Sequence, residues 1–489
     1  MSKASRDWRR RSAPMVAAVC LVIAGCGNRL PHEEIVTAAA GGTGSQTTTG
    51  AGSLGGSTTG AGAGTGTTGL GGIGGTTGGT TGSTTGGTTG STTGGTTGGT
   101  TGSTTGGTTS TSGTSGTGTS SGSTGSATKS VILLGNVGGY SGPVGASTAS
   151  AQTMLRIWEA YTNDHGGLNG HPVKIFTADD QSDPSKSQAL VRDMVENKHV
   201  VAFVGNQMAL TASAPRKYLE QKQVPAVGGD LTSVWHQSPM YFAQGSSLHT
   251  VVLGLAKAAV GAGKQHLGVL YCAEAGACKE IDDMLFAQGG AKSQGIDPAY
   301  HAQISLAQPD FTSECISARN AGVDALSVVA DVGTTNRVAA SCARQNYHPT
   351  FVNTGNTVNG DQETNKNLVG MITTQNWFAW ALNNGAGKIY QDAMKRYAPG
   401  LSSTAATASV WASGQLLAKA LQSVGPGPVT SDVVLQGLWR LKNETLDGLS
   451  MPLTFAKGKP TQAAPCYFEQ KIINRKWTVV GGGKPICLR

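Results

Sequence analysis

The sequence predicts an α/β fold: two doubly wound lobes, each a parallel sheet with helices on both faces, and a cleft between them. Three observations carry this expectation. Short apolar runs rich in β-branched residues alternate with helical stretches through residues 129–489, and the alternation passes through two successive series. The loops that follow the runs are rich in Gly, Ser, Thr, Asn and Gln. In open parallel sheets, ligands bind at such carboxyl-end loops.

The elements follow in order. Residues 131–134 read as a first strand, followed by a Gly-rich turn. A helix then runs to about Asn163, with Met154, Leu155, Trp158 and Tyr161 spaced along one face. Residues 165–170 turn the chain into a strand at 173–178. Asp183 then stands where a side-chain cap belongs, with Pro184 at the first helical position. Strands at 200–204 and 224–227 flank a helix that starts near Leu210. The alternation resumes with strands at 267–271, 325–330 and 350–352, each after a helical stretch.

Two segments precede this unit. Lys3, Arg6, Arg9, Arg10 and Arg11 form a basic start, and residues 13–25 are apolar but too short to span a bilayer. Ile23-Ala24-Gly25-Cys26 resembles the lipobox of bacterial lipoproteins, which implies export, cleavage before Cys26 and a lipid anchor on its thiol. Residues 1–25 are therefore expected to be a signal peptide and 26–128 an anchored tether. Residues 41–127 contain Gly, Thr, Ser and Ala, one Gln and three isolated aliphatics, Leu54, Leu70 and Ile73. Such a stretch cannot bury enough apolar surface to offset backbone entropy, so it is expected to be a disordered coil spanning roughly 50 Å. The first 25 residues hold five Lys/Arg against Asp7, so their removal takes the formal net charge from +8 to +4. That mild balance gives no ground for nucleic-acid binding.

Beyond Cys20 and Cys26, six cysteines remain: Cys272, Cys278, Cys315, Cys342, Cys466 and Cys487. An even number in an exported chain favours three disulfides. Proximity favours Cys272–Cys278 across a short loop, Cys315–Cys342 between consecutive helices, and Cys466–Cys487 around a C-terminal hairpin. No spacing is CxxC and no histidine sits at ligand distance in sequence, so no metal site is expected.

Catalytic motifs are missing. Gly135-Asn136-Val137-Gly138-Gly139-Tyr140-Ser141-Gly142 follows a strand but is not GxGxxG, and there is no GxSxG elbow, Walker lysine or HExxH. The expectation is a binding protein without cofactor, not an enzyme.

Residues 139–145 (Gly-Tyr-Ser-Gly-Pro-Val-Gly) resemble the opening loop of type I periplasmic binding proteins of the branched-chain amino acid family. So do Asn163-Asp164-His165-Gly166-Gly167-Leu168-Asn169-Gly170-His171-Pro172-Val173 and Ala178-Asp179-Asp180-Gln181-Ser182-Asp183-Pro184. Phe203-Val204-Gly205-Asn206 and Gln223-Val224-Pro225-Ala226-Val227-Gly228-Gly229 continue the match in order, and the similarity covers residues 129–489. The resemblance implies two lobes joined by a hinge, about 129–245 with 375–448 and 246–374 with 449–489. It implies capture of a small polar, amino-acid-like or amide-type solute by lobe closure, and delivery to an ABC permease. A ligand-sensing or adhesive surface lipoprotein on the same fold is the alternative.

Carried over position by position, the resemblance places Tyr140, Ser141, Gln207, Met208, Ala209, Gly229, Asp230, Glu274, Asp331 and Asn356 at the site. The family's hydroxyl near Ala209 is missing unless Thr211 supplies it, and Asp230 would repel a carboxylate. Asn356 stands where the family's ammonium-binding glutamate is expected, leaving Asp230 or Asp331 as a cation partner.

Overall fold

A computed structural model describes residues 129–488 apart from Val424 and Pro426. The signal segment, Cys26 and the Gly/Thr tether lie outside the described residues.

The first sheet holds β1 (Ile132–Gly138), β2 (Val173–Asp179), β3 (Ala202–Val204), β4 (Ala226–Val227) and β5 (Tyr241–Phe242), in the order β2-β1-β3-β4-β5. All its pairings are parallel. The second sheet holds β6 (His266–Cys272), β7 (Asp297–Ile304), β8 (Ala325–Val329), β9 (Thr350–Thr354), β10 (Ile372–Gln375), β11 (Cys466–Ile473) and β12 (Lys476–Val479). Its order is β12-β11-β10-β9-β8-β6-β7, with β13 (Ile486–Cys487) on β11. From β7 to β10 the pairing is parallel; β11, β12 and β13 add antiparallel. The hairpin expected between Cys466 and Cys487 forms the last strands of this part, and being antiparallel it needs no crossover helix.

The helices are α1 (Gly145–Thr148), α2 (Ser150–Asp164), α3 (Pro184–Glu196), α4 (Arg216–Lys222), α5 (Leu248–Gly261), α6 (Gly276–Leu285), α7 (Gly290–Ser293), α8 (Thr312–Asn320), α9 (Val332–Arg344), α10 (Gly385–Tyr397), α11 (Ala405–Leu421) and α12 (Ser431–Arg440). Local chemistry explains their starts. Asp183 accepts from the amides of Ser185 and Lys186 with Pro184 at the first position, as expected. Met154, Leu155 and Trp158 are buried on α2. The helix expected from about Leu210 begins later, at Arg216, because residues 207–215 are irregular and shape the end of β3.

Helix α11 is the axis of the first lobe, packed against α2, α12, β3 and β4. It is almost wholly buried, which its run of Ala, Ser and Val allows. A side-chain carbon on Gly414 would lie 2.2 Å from the Trp158 indole, so the absence of a side chain sets the approach of α11 to α2. Three segments join the lobes: 243–247, 376–384 and 441–465. Their backbones touch. Ser246 N–H donates to Asn376 O at 2.9 Å, and Phe378 N–H to Leu449 O at 3.0 Å. A carbon on Gly245 would sit 1.8 Å from Asn376 O, which excludes any side chain there.

The three disulfides are Cys272–Cys278, Cys315–Cys342 and Cys466–Cys487, as proximity in sequence led us to expect. Cys315 and Cys342 tie α8 to α9 and are fully buried. Cys466 and Cys487 face each other across β11 and β13.

Two outcomes are expected. Gly414→Ala forces Trp158 out of its seat and destabilises by about 1–3 kcal/mol in denaturant unfolding; an unchanged midpoint removes Gly414 as the determinant of this packing. Replacing both Cys315 and Cys342 by Ala releases a long loop and costs about 3–4 kcal/mol in the same measurement.

Candidate functional site

Because the parallel strands of each sheet point one way, the loops after β1, β3 and β4 gather at one edge of the first lobe. Those after β6, β7, β8 and β9 gather on the second. Together they line a cavity of about 180 Å³. Larger hollows exist, one of about 540 Å³ beside Asp361, Lys395 and Lys476, but it shares none of this lining.

The cavity wall is mostly hydrocarbon. Pro143, Val144, Leu210 and Leu231 contribute from the first lobe, and Ile281 and Leu306 from the second. The Cys272–Cys278 disulfide forms part of the wall and closes the loop that carries Ala275 and Ala277 into it. Among the described residues no Lys, Arg or His lines the cavity, whereas Asp230 and Asp331 do.

Five of the residues expected at the site meet here: Gln207, Ala209, Asp230, Asp331 and Asn356. Asp230 is only 6% exposed. Its Oδ1 accepts three hydrogen bonds, from Thr232 N–H (2.9 Å), Thr232 Oγ1 (2.7 Å) and Trp235 Nε1 (3.2 Å). Its Oδ2 has no partner in the protein. Burial pushes the Asp230 carboxyl above its ordinary range, against the lowering effect of Thr232 and Trp235. Asp331 is differently placed. It caps α9, accepting from Thr334 N–H at 2.9 Å and Thr334 Oγ1 at 2.8 Å, so both its oxygens are engaged. Gln207 turns its amide inward, where Nε2 lies 3.4 Å from both Gly205 O and Ser409 Oγ.

The other five are not in the wall, each for a local reason. The Tyr140 hydroxyl donates to Asn136 inside the lobe, and burial raises its phenol far above the usual range. Ser141 is exposed and its hydroxyl donates to Asp179. Met208 is a core residue, 1% exposed, with its sulfur 3.6 Å from Ser187 Oγ. Gly229 is pinned by Gln244, which accepts from its N–H at 3.0 Å and donates to its carbonyl at 2.7 Å; a side-chain carbon there would strike Trp235. Glu274 is exposed and accepts from Ser305 Oγ and Leu306 N–H, the first of which chiefly holds its carboxyl below the usual range. It holds the disulfide-closed loop against the end of β7.

Sequence reading missed the apolar wall. Pro143 and Val144 lie in the same loop as Tyr140 and Ser141, and Leu231 follows Asp230, but nothing in their order tells which side chain of a loop faces inward. The disulfide was expected; its place in the wall was not.

A family model described as periplasmic binding protein matches residues 131–472. Among curated protein sequences none matches significantly. Solved structures share the fold. A solute-binding protein of an ABC transporter from R. palustris, in complex with benzoate, superposes with a TM-score of 0.60 at 14% identity, over 73% of this chain and 98% of its own. A possible leucine/isoleucine/valine-binding protein from Rhodopirellula baltica SH 1 gives 0.60 at 17%, over 74% and 99%. A second R. palustris solute-binding protein, with 4-hydroxybenzoate, gives 0.59 at 15%, over 73% and 97%. With two α/β lobes meeting at their strand ends and the family model spanning both, the chain belongs to the periplasmic binding protein family and is a solute-binding protein, not an enzyme.

Proposed function

We propose that this chain is an extracytoplasmic lipoprotein that captures a small amino-acid-like or amide-type solute by lobe closure and delivers it to an ABC permease. The observation that carries the reading is the cavity of about 180 Å³ at the facing strand ends, open on one side to solvent. A dry engineered cavity of about 150 Å³ accepts benzene, so this one suits a solute with an apolar body of comparable size. Polar side chains interrupt the apolar wall, among them Gln207, Asp230, Thr232, Asp331, Asn356 and Thr357. That pattern selects a solute by one or two polar ends and holds it by its hydrocarbon.

Closure requires the lobes to move about the three segments at Gly245, Asn376 and Leu449. These stretches pair with one another through backbone hydrogen bonds and can absorb a change in dihedral angles without unpacking either core. The Ile23-Ala24-Gly25-Cys26 run supports an anchor at Cys26, and the Gly/Thr stretch supports a tether that lets the receptor search for its permease. No helix among the described residues is long and apolar enough to cross a membrane.

Two measurements test the proposal. A thermal-shift screen of the full-length chain against amino acids, amides, amines and aromatic acids should find a stabilising compound. A ligand at a hundred times its Kd adds about 2.7 kcal/mol. A silent screen, with no solute carried through purification, counts against binding. Cys26→Ala should leave the protein in the soluble fraction after cell breakage; retention in membranes would sink the anchor.

A further inference from the structure

We propose that the solute is a secondary amide that occupies two adjoining hollows. Its hydrocarbon end fills the strand-end cavity, its amide sits between Ser147 and Asn356, and a neutral polar substituent extends into a second hollow of about 220 Å³. The proposal rests on the solute-binding reading above and specifies the shape and chemistry of that solute.

Adjacency carries the first step. Ser147 on α1 and Asn356 after β9 belong to the linings of both hollows. Around them the two linings run through chain neighbours: Asp331, Thr357 and Ala406 line the first, and Val332, Val358 and Ala405 the second. The second hollow thus continues the first along the seam between the lobes. Both lobes line it and touch there, where Asn359 bridges Thr404 and Gly360 N–H donates to Ser403 O at 2.8 Å. Small-molecule sites commonly measure roughly 300–1,000 Å³, a size that the first hollow misses and the pair reaches.

The two hollows differ in character. Hydrocarbon dominates the first, whereas Ser150, Ser402 and Thr404 bring hydroxyls to the second, and among the described residues no charged side chain lines it. A charged group there would lose its water and gain no opposite charge, so the extension is neutral.

The junction selects the amide. Ser147 and Asn356 are half-buried, and among the described residues neither side chain has a hydrogen-bond partner. Their polar atoms stay accessible, unlike the Ser402 hydroxyl, which is sealed without a partner. One belongs to the first lobe and the other to the second, and each offers both a donor and an acceptor. A secondary amide answers with one N–H and one carbonyl on a linkage that carries a substituent at either end. An ammonium brings no acceptor, and a carboxylate brings no donor.

Three probes share one branched acyl body: 3-methylbutanamide, its N-(2-hydroxyethyl) derivative and N-(3-methylbutanoyl)glycine, each titrated calorimetrically into the full-length chain. The hydroxyethyl amide should bind tightest, the primary amide about tenfold more weakly and the glycine conjugate about a hundredfold more weakly. Ser150→Leu puts hydrocarbon into the second hollow and should erase the difference between the two amides. Asn356→Leu should weaken both of them about tenfold. Equal wild-type affinity for the two amides overturns the inference. So does a glycine conjugate that binds as tightly as the hydroxyethyl amide, or a difference between the amides that survives Ser150→Leu. The wild-type comparison stands even if neither variant folds. Silence from all three probes also overturns the amide assignment, whereas the solute-binding reading falls only if the broad screen is silent too.

Discussion

Parallel pairing is the constraint on which the rest depends. A strand that runs parallel to its neighbour must be reached by a crossover, and every strand then ends on the same edge. In this chain the rule operates twice, in β1 to β5 and in β6 to β10. Each lobe therefore delivers its loops to one side. Three connecting segments in contact, around Gly245, Asn376 and Leu449, bring those two sides together. The cavity is a consequence of that convergence. No single loop could have built it.

What fills the wall decides what the receptor can hold. Hydrocarbon from both lobes and the Cys272–Cys278 bridge favour a solute with an apolar body, and among the described residues two acids and no base line the wall. The two acids differ by their surroundings. Asp331 is spent on the start of α9, whereas Asp230 sits beneath Trp235 with one oxygen saturated and the other bare.

Much of the fold was legible in the residues. Strands β1 to β4, the cap at Asp183, the α2 face and the three disulfides all followed from local pattern and spacing. Strands β5, β7 and β10 were not read: the first because two residues carry no period, the second because its residues are only partly buried and alternate weakly, and the third because Ile-Thr-Thr-Gln is short and mostly polar although buried. Half of the expected site residues line the cavity. The others show why position in a motif is not enough: Tyr140 is held by Asn136, Met208 by the core, Gly229 by Gln244 and Trp235.

By itself, the sequence determined which stretches become strands and helices and which loops lie at their carboxyl ends, because periodicity, caps and turn residues act over a few neighbours. Only the tertiary structure decided which side chains of those loops face one another. Asp230, Asp331 and Ala277 are separated by scores of residues, and each could have turned toward solvent, a helix end or the cavity. Packing made that choice: Trp235 behind Asp230, Thr334 beneath Asp331, and the disulfide drawing Ala277 inward.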